Sequence, residues 1–389
     1  MLTIAGKAPT GSPRFDRQNI QKAVDTVHSR GGGQVSLRPG TYVIDKAIDM
    51  QDNVLLRGSG CRATMLRFDV HPSGGMASDD VYKYWHAVIR IIGKKDVQVC
   101  DLHIDGNKCE RTLPPSVRNN FFVGIAIRAK GMTDYSTAGS EPWHVVNSQV
   151  MEDESRDCLI SCCVIENCPG SGLIIEGARR ITITDCESYN NGDFGLFAGD
   201  YTHFCRFIRC TARRNPHGAL ELLGTARHHL VEDCTLSNIV LQSFGGLVRP
   251  TYHRIKGCTI GPNHSSDPVT INGNSFATLE GCTIITGAGA GVNVFCAGLQ
   301  YDAVARSAED LSKLVRGVNI CNNVIVASSL LKRSLITRVC RDLVGPPFNY
   351  SGNLRRPLQD TFEALVAAGV PTNLNDRNPF TWNVAPHVP

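Results

Sequence analysis

The sequence predicts an all-β solenoid, a right-handed parallel β-helix with about 24 residues per coil. Three observations carry this reading. Cys162, Cys186, Cys210, Cys234, Cys258 and Cys282 recur at one constant spacing, a full coil apart. Their surroundings recur with them, as ISCCVIEN, ITDCESYN, FIRCTARR, VEDCTLSN, IKGCTIGP and LEGCTIIT. Each unit also reads as short stretches of period-two alternation separated by Asn and Gly turns, as at 181–184 and 187–189. A leucine-rich repeat has a similar period, but its LxxLxLxxN pattern is missing and no helix fits within a unit.

Taken in order, residues 1–33 form an N-terminal segment whose helix covers the open end of the solenoid, since uncovered coils expose core and strand edges. Asp16 reads as its N-cap, Ile20, Ala23, Val24 and Val27 follow at helical spacing, and Gly31 to Gly33 stop it. Gln34 to Leu37 begin the first strand. Residues 34–327 are the β-helix. Long loops within 108–156 (108–122 and 129–156) interrupt it, and loops of that length on solenoids often build a binding cleft. A helix at 303–316 precedes a last coil containing Cys321. Residues 328–389 form a tail with a helical stretch from Leu358 to Val370.

Coils stack about 4.8 Å apart, so recurring residues become ladders. Cys162 to Cys282 should form a column of small apolar thiols at an inward corner. Asn167, Asn191, Asn215 and Asn263 should form a second column at a turn, with amides bonding from coil to coil. Stacked cysteines have parallel Cβ vectors, which suits bridging poorly. They read as reduced packing residues and imply a reducing compartment. With no apolar h-region at the N-terminus, the expected location is cytoplasmic, or secreted if a leader has been removed.

Composition narrows the function. Forty basic residues face 36 acidic ones with no Lys/Arg run, which argues against a nucleic-acid partner. No stretch approaches the roughly 18 apolar residues a membrane span needs. No phosphate loop, zinc pair or calcium loop is visible, so no cofactor or metal is expected.

The stretches DRQNIQKAVDTVHSRGGGQVSLRPGTYVI, NVLLRGSG and DLHIDGN resemble the pectate-lyase-like superfamily of right-handed β-helices. That resemblance covers nearly the whole chain. It implies a glycan, an oligo- or polysaccharide, bound along one parallel sheet and its flanking loops. The fold hosts lyases, glycosidases, uronan epimerases, fructan transferases and tailspikes, and trimers are common in it, so a homotrimer is also implied. More narrowly, the run from Ala219 to Gly224, followed by Gln242 to Leu247, is similar to inulin fructotransferases. Their catalytic acid would fall on Glu221, with Cys210 where a partner aspartate is expected. Asn215 to Gly218 and Arg254 to Lys256 resemble the His-Gly and basic tripeptide of galacturonases, without their paired aspartates.

Glycoside cleavage needs an acid for the leaving oxygen and usually a second carboxylate as base or nucleophile. Gly172, Gly195 and Gly218 read as the starts of equivalent strands, which aligns Glu221 with Ile175 and Ala198 at inward positions. There its carboxyl is either buried with a raised pKa, as suits an acid, or turned outward by a bulge. Asp200 could supply the second carboxylate or simply form a turn, and the same choice applies to Asp193 in its Asn-Gly-Asp run. His217, just before the strand glycine, could contact a sugar hydroxyl or share a proton in the reaction, and His203 could bind substrate. If Ile183, Phe207, Val231, Ile255 and Leu279 point inward, then Arg206, Glu232, Arg254, Lys256 and Glu280 fall on one outward face, either a uronate-binding patch or a solvated salt-bridge surface. Arg249 is a further candidate for binding substrate. Trp85 and Trp143, in aromatic clusters, could stack on sugar faces or anchor loops. The expected function is an enzyme that cleaves or rearranges a glycosidic bond, of glycosidase or fructan-transferase type. A uronan lyase or C5-epimerase and a non-catalytic, tailspike-like glycan-binding protein are the alternatives.

Overall fold

Each coil gives one strand to each of three parallel sheets, as Thr182–Thr184, Glu187–Tyr189 and Phe194–Ala198 do in one turn of the chain. The computed structural model describes residues 2–69, 86–108, 122–130, 153–242, 249–262, 267–286, 291–295, 317–327, 348–351 and 353–357. Among these, a twelve-stranded sheet runs from Leu2–Ala5 to Phe348–Ser351, and an eleven-stranded sheet from Gly40–Ile44 to Leu354–Pro357. A nine-stranded sheet runs from Ile48–Asp49 to Val292–Phe295.

Inward alternation fills the core. On the twelve-stranded sheet Ile183, Phe207, Val231, Ile255 and Leu279 are all buried, as their period-two spacing requires. Phe207→Ala should therefore lower stability by roughly 3–5 kcal/mol through lost burial and the cavity left behind. A fall in the thermal midpoint checks this.

The cysteine column exists, but one position departs from the constant spacing. Ile160 pairs with Ile183, and Ile183 with Phe207, so the first of these coil steps is shorter than the second by a single residue. Cys163 therefore stacks with Cys186 and is buried, while Cys162 sits at an exposed corner with φ 51°. The thiols suit the position because each S–H can donate to a carbonyl of the preceding coil. Cys186 reaches Ile160 at 3.6 Å, Cys210 reaches Ile183 at 3.5 Å and Cys234 reaches Phe207 at 3.4 Å. Every described cysteine is free.

The amide column is also displaced at its start. Asn191 and Asn215 stack, each carbonyl oxygen accepting a backbone N–H of the coil before, from Cys168 and Asn191. Asn167 instead accepts from Asn190 in a neighbouring exposed row. Asn263 lies outside the described residues.

The N-terminal helix spans Pro13–Ser29 with Ser12 as its N-cap, a turn ahead of the expected cap at Asp16. Asp16 lies in its first turn, buried, where its carboxylate accepts from Thr10 and from the Val43 N–H. Ile20, Val24 and Val27 close the core as expected. The strand Leu2–Ala5, ahead of this helix, pairs with Gly33–Ser36 and extends the twelve-stranded sheet, so the N-terminal segment is itself part of the solenoid. Within 108–156, Phe122–Arg128 is a strand of the nine-stranded sheet. Strands Phe348–Ser351 and Leu354–Pro357 carry the solenoid past residue 327. The helices expected at 303–316 and 358–370 lie outside the described residues. No helix of the described residues is long and apolar enough to cross a membrane.

Candidate active site on the nine-stranded sheet

Register decides which side chains face outward on this sheet. Ile174 pairs with Phe197, Phe197 with Glu221, Glu221 with Val240, Val240 with Thr270 and Thr270 with Asn293. Their neighbours Ile175, Ala198, Leu222, Leu241, Ile271 and Val294 belong to the core. Glu221 is thus on the outer wall, not aligned with Ile175 and Ala198. The reason is local: Gly218 pairs with Phe194, immediately before Gly195, so the third glycine does not share the register of the other two.

Although it faces outward, Glu221 is only 6% exposed. Burial, and next the negative charge of Asp193, push its carboxyl pKa up to about 8. Asp193 ends the turn before Phe194. Burial raises its pKa as well, but the Ser171 hydroxyl, donating at 3.1 Å, and the nearby His217 oppose that rise. His217 ends the equivalent turn one coil on and is exposed. Its ring lies 6.1 Å from that of Phe194, which in turn is 6.3 Å from Phe197. The following turn is shorter: Leu220 pairs with Ile239, which comes sooner along the chain than the repeat of the preceding pair, Leu196 with Leu220, would place it. Asn238 fills the gap, accepting the Ala219 N–H at 2.7 Å.

Three of the four expected acid/base residues, Glu221, Asp193 and His217, therefore meet on one wall. Asp200 does not join them. It lies beyond the strand end, buried, and its carboxylate accepts from the Thr225 N–H at 2.8 Å and the Thr225 hydroxyl at 3.3 Å. Gly224, at φ +69°, leaves the space that this carboxylate packs into. This is turn chemistry.

The expected binding residues separate too. His203 bridges between Arg179 and Arg227 past the turn, and burial followed by the charge of Arg227 lowers its pKa. Arg254 and Lys256 are on the twelve-stranded sheet, paired with Glu280 at 3.0 Å and Glu232 at 3.4 Å. Exposed pairs of this kind contribute little stability. They form the salt-bridge surface. Arg249 opens a two-residue strand, but its side chain lies outside the described residues, as do Trp85 and Trp143.

Sequence reading passed over a buried ion pair on the same wall. Arg128 Nε lies 3.0 Å from Glu176 Oε2, with side chains 5% and 1% exposed. Only their positions at the ends of paired strands hinted at it. Arg128→Met would leave Glu176 charged and buried, at a cost of roughly 3–5 kcal/mol. Replacing Glu176 by leucine as well should recover most of that in a denaturation experiment. Among the described residues, no group of three or more His, Cys, Asp and Glu is placed to hold a metal ion.

Comparison with known proteins agrees with this architecture. Residues 140–247 match the family described as right handed beta helix region. A 59-residue stretch, 13% of this chain, is 39% identical to mannuronan C5-epimerase AlgE6 of Azotobacter vinelandii, and spans 7% of that protein's length. The AlgE4 A-module, a mannuronan C-5 epimerase of the same organism, is similar in structure with TM-score 0.59 and 16% identity, covering 91% of this chain and 94% of that one. An endo-xylogalacturonan hydrolase from Aspergillus tubingensis gives TM-score 0.59 and 12% identity, covering 92% and 94%. Structural likeness at these identities speaks to fold alone. With the register of its three sheets, it shows that the chain has the fold of a right-handed parallel β-helix.

Proposed function

We propose that the protein is a carbohydrate-active enzyme that cleaves or transfers a glycosidic bond on the outer wall of the nine-stranded sheet. One observation carries this: a buried outward carboxyl, Glu221, with a pKa of about 8 beside a second carboxylate, Asp193. A carboxyl held protonated at neutral pH beside a second carboxyl in a different environment suits acid-assisted glycoside chemistry. Glu221, protonated at neutral pH, donates to the leaving oxygen. Asp193, the second carboxyl, acts as base or nucleophile, and exposed His217 orients a sugar hydroxyl. The free thiols of the described cysteines support work in a reducing compartment.

A second reading, uronan C5-epimerase or lyase, is favoured by the local likeness to mannuronan C5-epimerase AlgE6. Incubating wild type and Glu221→Gln with fructans, neutral oligosaccharides and uronans separates the two. New reducing ends or a cyclic disaccharide from wild type alone support the first. Unsaturated or epimerised uronate, undiminished in the variant, supports the second and removes Glu221 from the chemistry.

A further inference from the structure

The wall beyond Glu221 bears on what kind of glycan it takes. Before Glu221, Ala126 and Ile174 are buried and pack with Ala87, Val123 and partly buried Phe197 into an apolar floor. Beyond it, Val240, Thr270 and Asn293 of the same column are only half-buried, as is Gln242 on the same face. Coils repeat at about 4.8 Å, so these three positions extend about 14 Å from Glu221. Beyond Glu221 the wall is therefore accessible along three consecutive coils as far as Asn293.

Its chemistry is hydroxyl and amide. Thr270, Gln242, Asn272 and Asn293 face outward there, and Asp267 accepts from Asn293 Nδ2 at 2.8 Å. Asn293 Oδ1 is buried with no hydrogen-bond partner. An acceptor held dry and unpaired costs free energy unless a donor comes to it. A sugar hydroxyl is such a donor, and a carboxylate is not. Cations are scarce. Between residues 240 and 295 the sequence contains three, Arg249, Arg254 and Lys256. Two of these are ion-paired on the twelve-stranded sheet. On the nine-stranded wall before Glu221, Arg90 is paired with Asp49 at 2.7 Å and Arg128 with Glu176. A polyuronate would bring one negative charge per sugar to a surface whose described cations there are already matched.

We propose that the glycan is neutral and lies along the Val240–Thr270–Asn293 column, its hydroxyls meeting Thr270 and Asn293 as it runs towards Glu221. This rests on the carboxylate reading of the site. The test is binding and turnover by the full chain, with inulin and xylo-oligosaccharides as neutral probes and alginate and polygalacturonate as anionic ones. Glu221→Gln serves as the non-turning binder. Neutral glycan should be retained and turned over, with KM insensitive to salt between 50 and 500 mM. Asn293→Ala and Thr270→Ala should each raise KM about three- to tenfold with kcat nearly unchanged. Retention of a polyuronate with affinity that falls as salt rises overturns the proposal, and so does retention of neither class. If polyuronate is turned over and Glu221→Gln is inactive, the carboxylate reading stands and only the neutral substrate fails. If neutral glycan is turned over equally by Glu221→Gln, the reverse holds.

Discussion

Glu221→Gln should lower kcat by about 10²- to 10⁴-fold, the usual contribution of a positioned general acid, while leaving binding nearly intact. The amide keeps shape and burial but has no proton to give. The wild-type pH profile should carry the same signature. Activity depends on the protonated form, so kcat/KM should fall as pH rises through about 8. Stability should move with it. The carboxyl pKa rises from 4.5 in the unfolded chain to about 8 in the folded one. Between those values the folded state holds a proton that the unfolded state has released. The contribution of this carboxyl to stability is therefore greatest below about 4.5 and declines as pH climbs towards 8, by up to roughly 3–5 kcal/mol. Glu221→Gln removes this dependence, so the variant should be less active yet more stable than wild type at pH 8. Kinetics and thermal denaturation across pH 5–9 check both. Loss of activity with an unchanged stability profile would mean that Glu221 is not the group held protonated.

Acid should unfold the protein through a different pair. His229 and His253 stack inside the coil with ring centres 5.1 Å apart, both about 1% exposed. The Cys205 N–H donates to His229 Nδ1 at 3.0 Å, and the His229 N–H to His253 Nδ1 at 3.4 Å. Those bonds require unprotonated Nδ1 atoms, and each Nε2 is buried without a partner. Burial lowers both pKa values, that of His253 to about 3. Below pH 6.5 the unfolded chain takes up protons that the folded one refuses, so stability present above 6.5 is lost as pH falls. His253 alone, over the two pH units from 6.5 to 4.5, amounts to about 3 kcal/mol, and His229 adds to it in the same direction. The double variant His229→Leu/His253→Leu should lose most of the fall in thermal midpoint between pH 6.5 and 4.5. An unchanged fall would assign acid unfolding to other groups.

The two effects oppose each other, and both follow from placing a titratable group where water is excluded. At Glu221 that placement keeps the carboxyl of the proposed site protonated at neutral pH. At the histidine pair, the Nδ1 atoms accept backbone N–H groups from coil to coil, as the Asn191 and Asn215 carbonyl oxygens do at another corner.

The sequence alone determined the solenoid, its coil length, the helix that covers its N-terminal end and the inward row from Ile183 to Leu279. Those features depend on periodicity and burial, which repeat often enough to average out local irregularity. It also singled out Glu221, Asp193 and His217 as chemistry-bearing residues in adjacent coils. Tertiary structure decided where they point. Successive coils do not all have the same length, and a turn that loses a residue moved Cys163 into the thiol column in place of Cys162. A register offset of the same size set Glu221 beside Phe197 on the outer wall. In a strand, a shift of one residue exchanges the two faces, so constant spacing cannot assign a face once a turn gains or loses a residue. Asp200 and the Arg128–Glu176 pair show the same limit from the other side. Whether a carboxylate serves a turn, an ion pair or a reaction depends on neighbours brought from other coils, and those are fixed only when the coils stack.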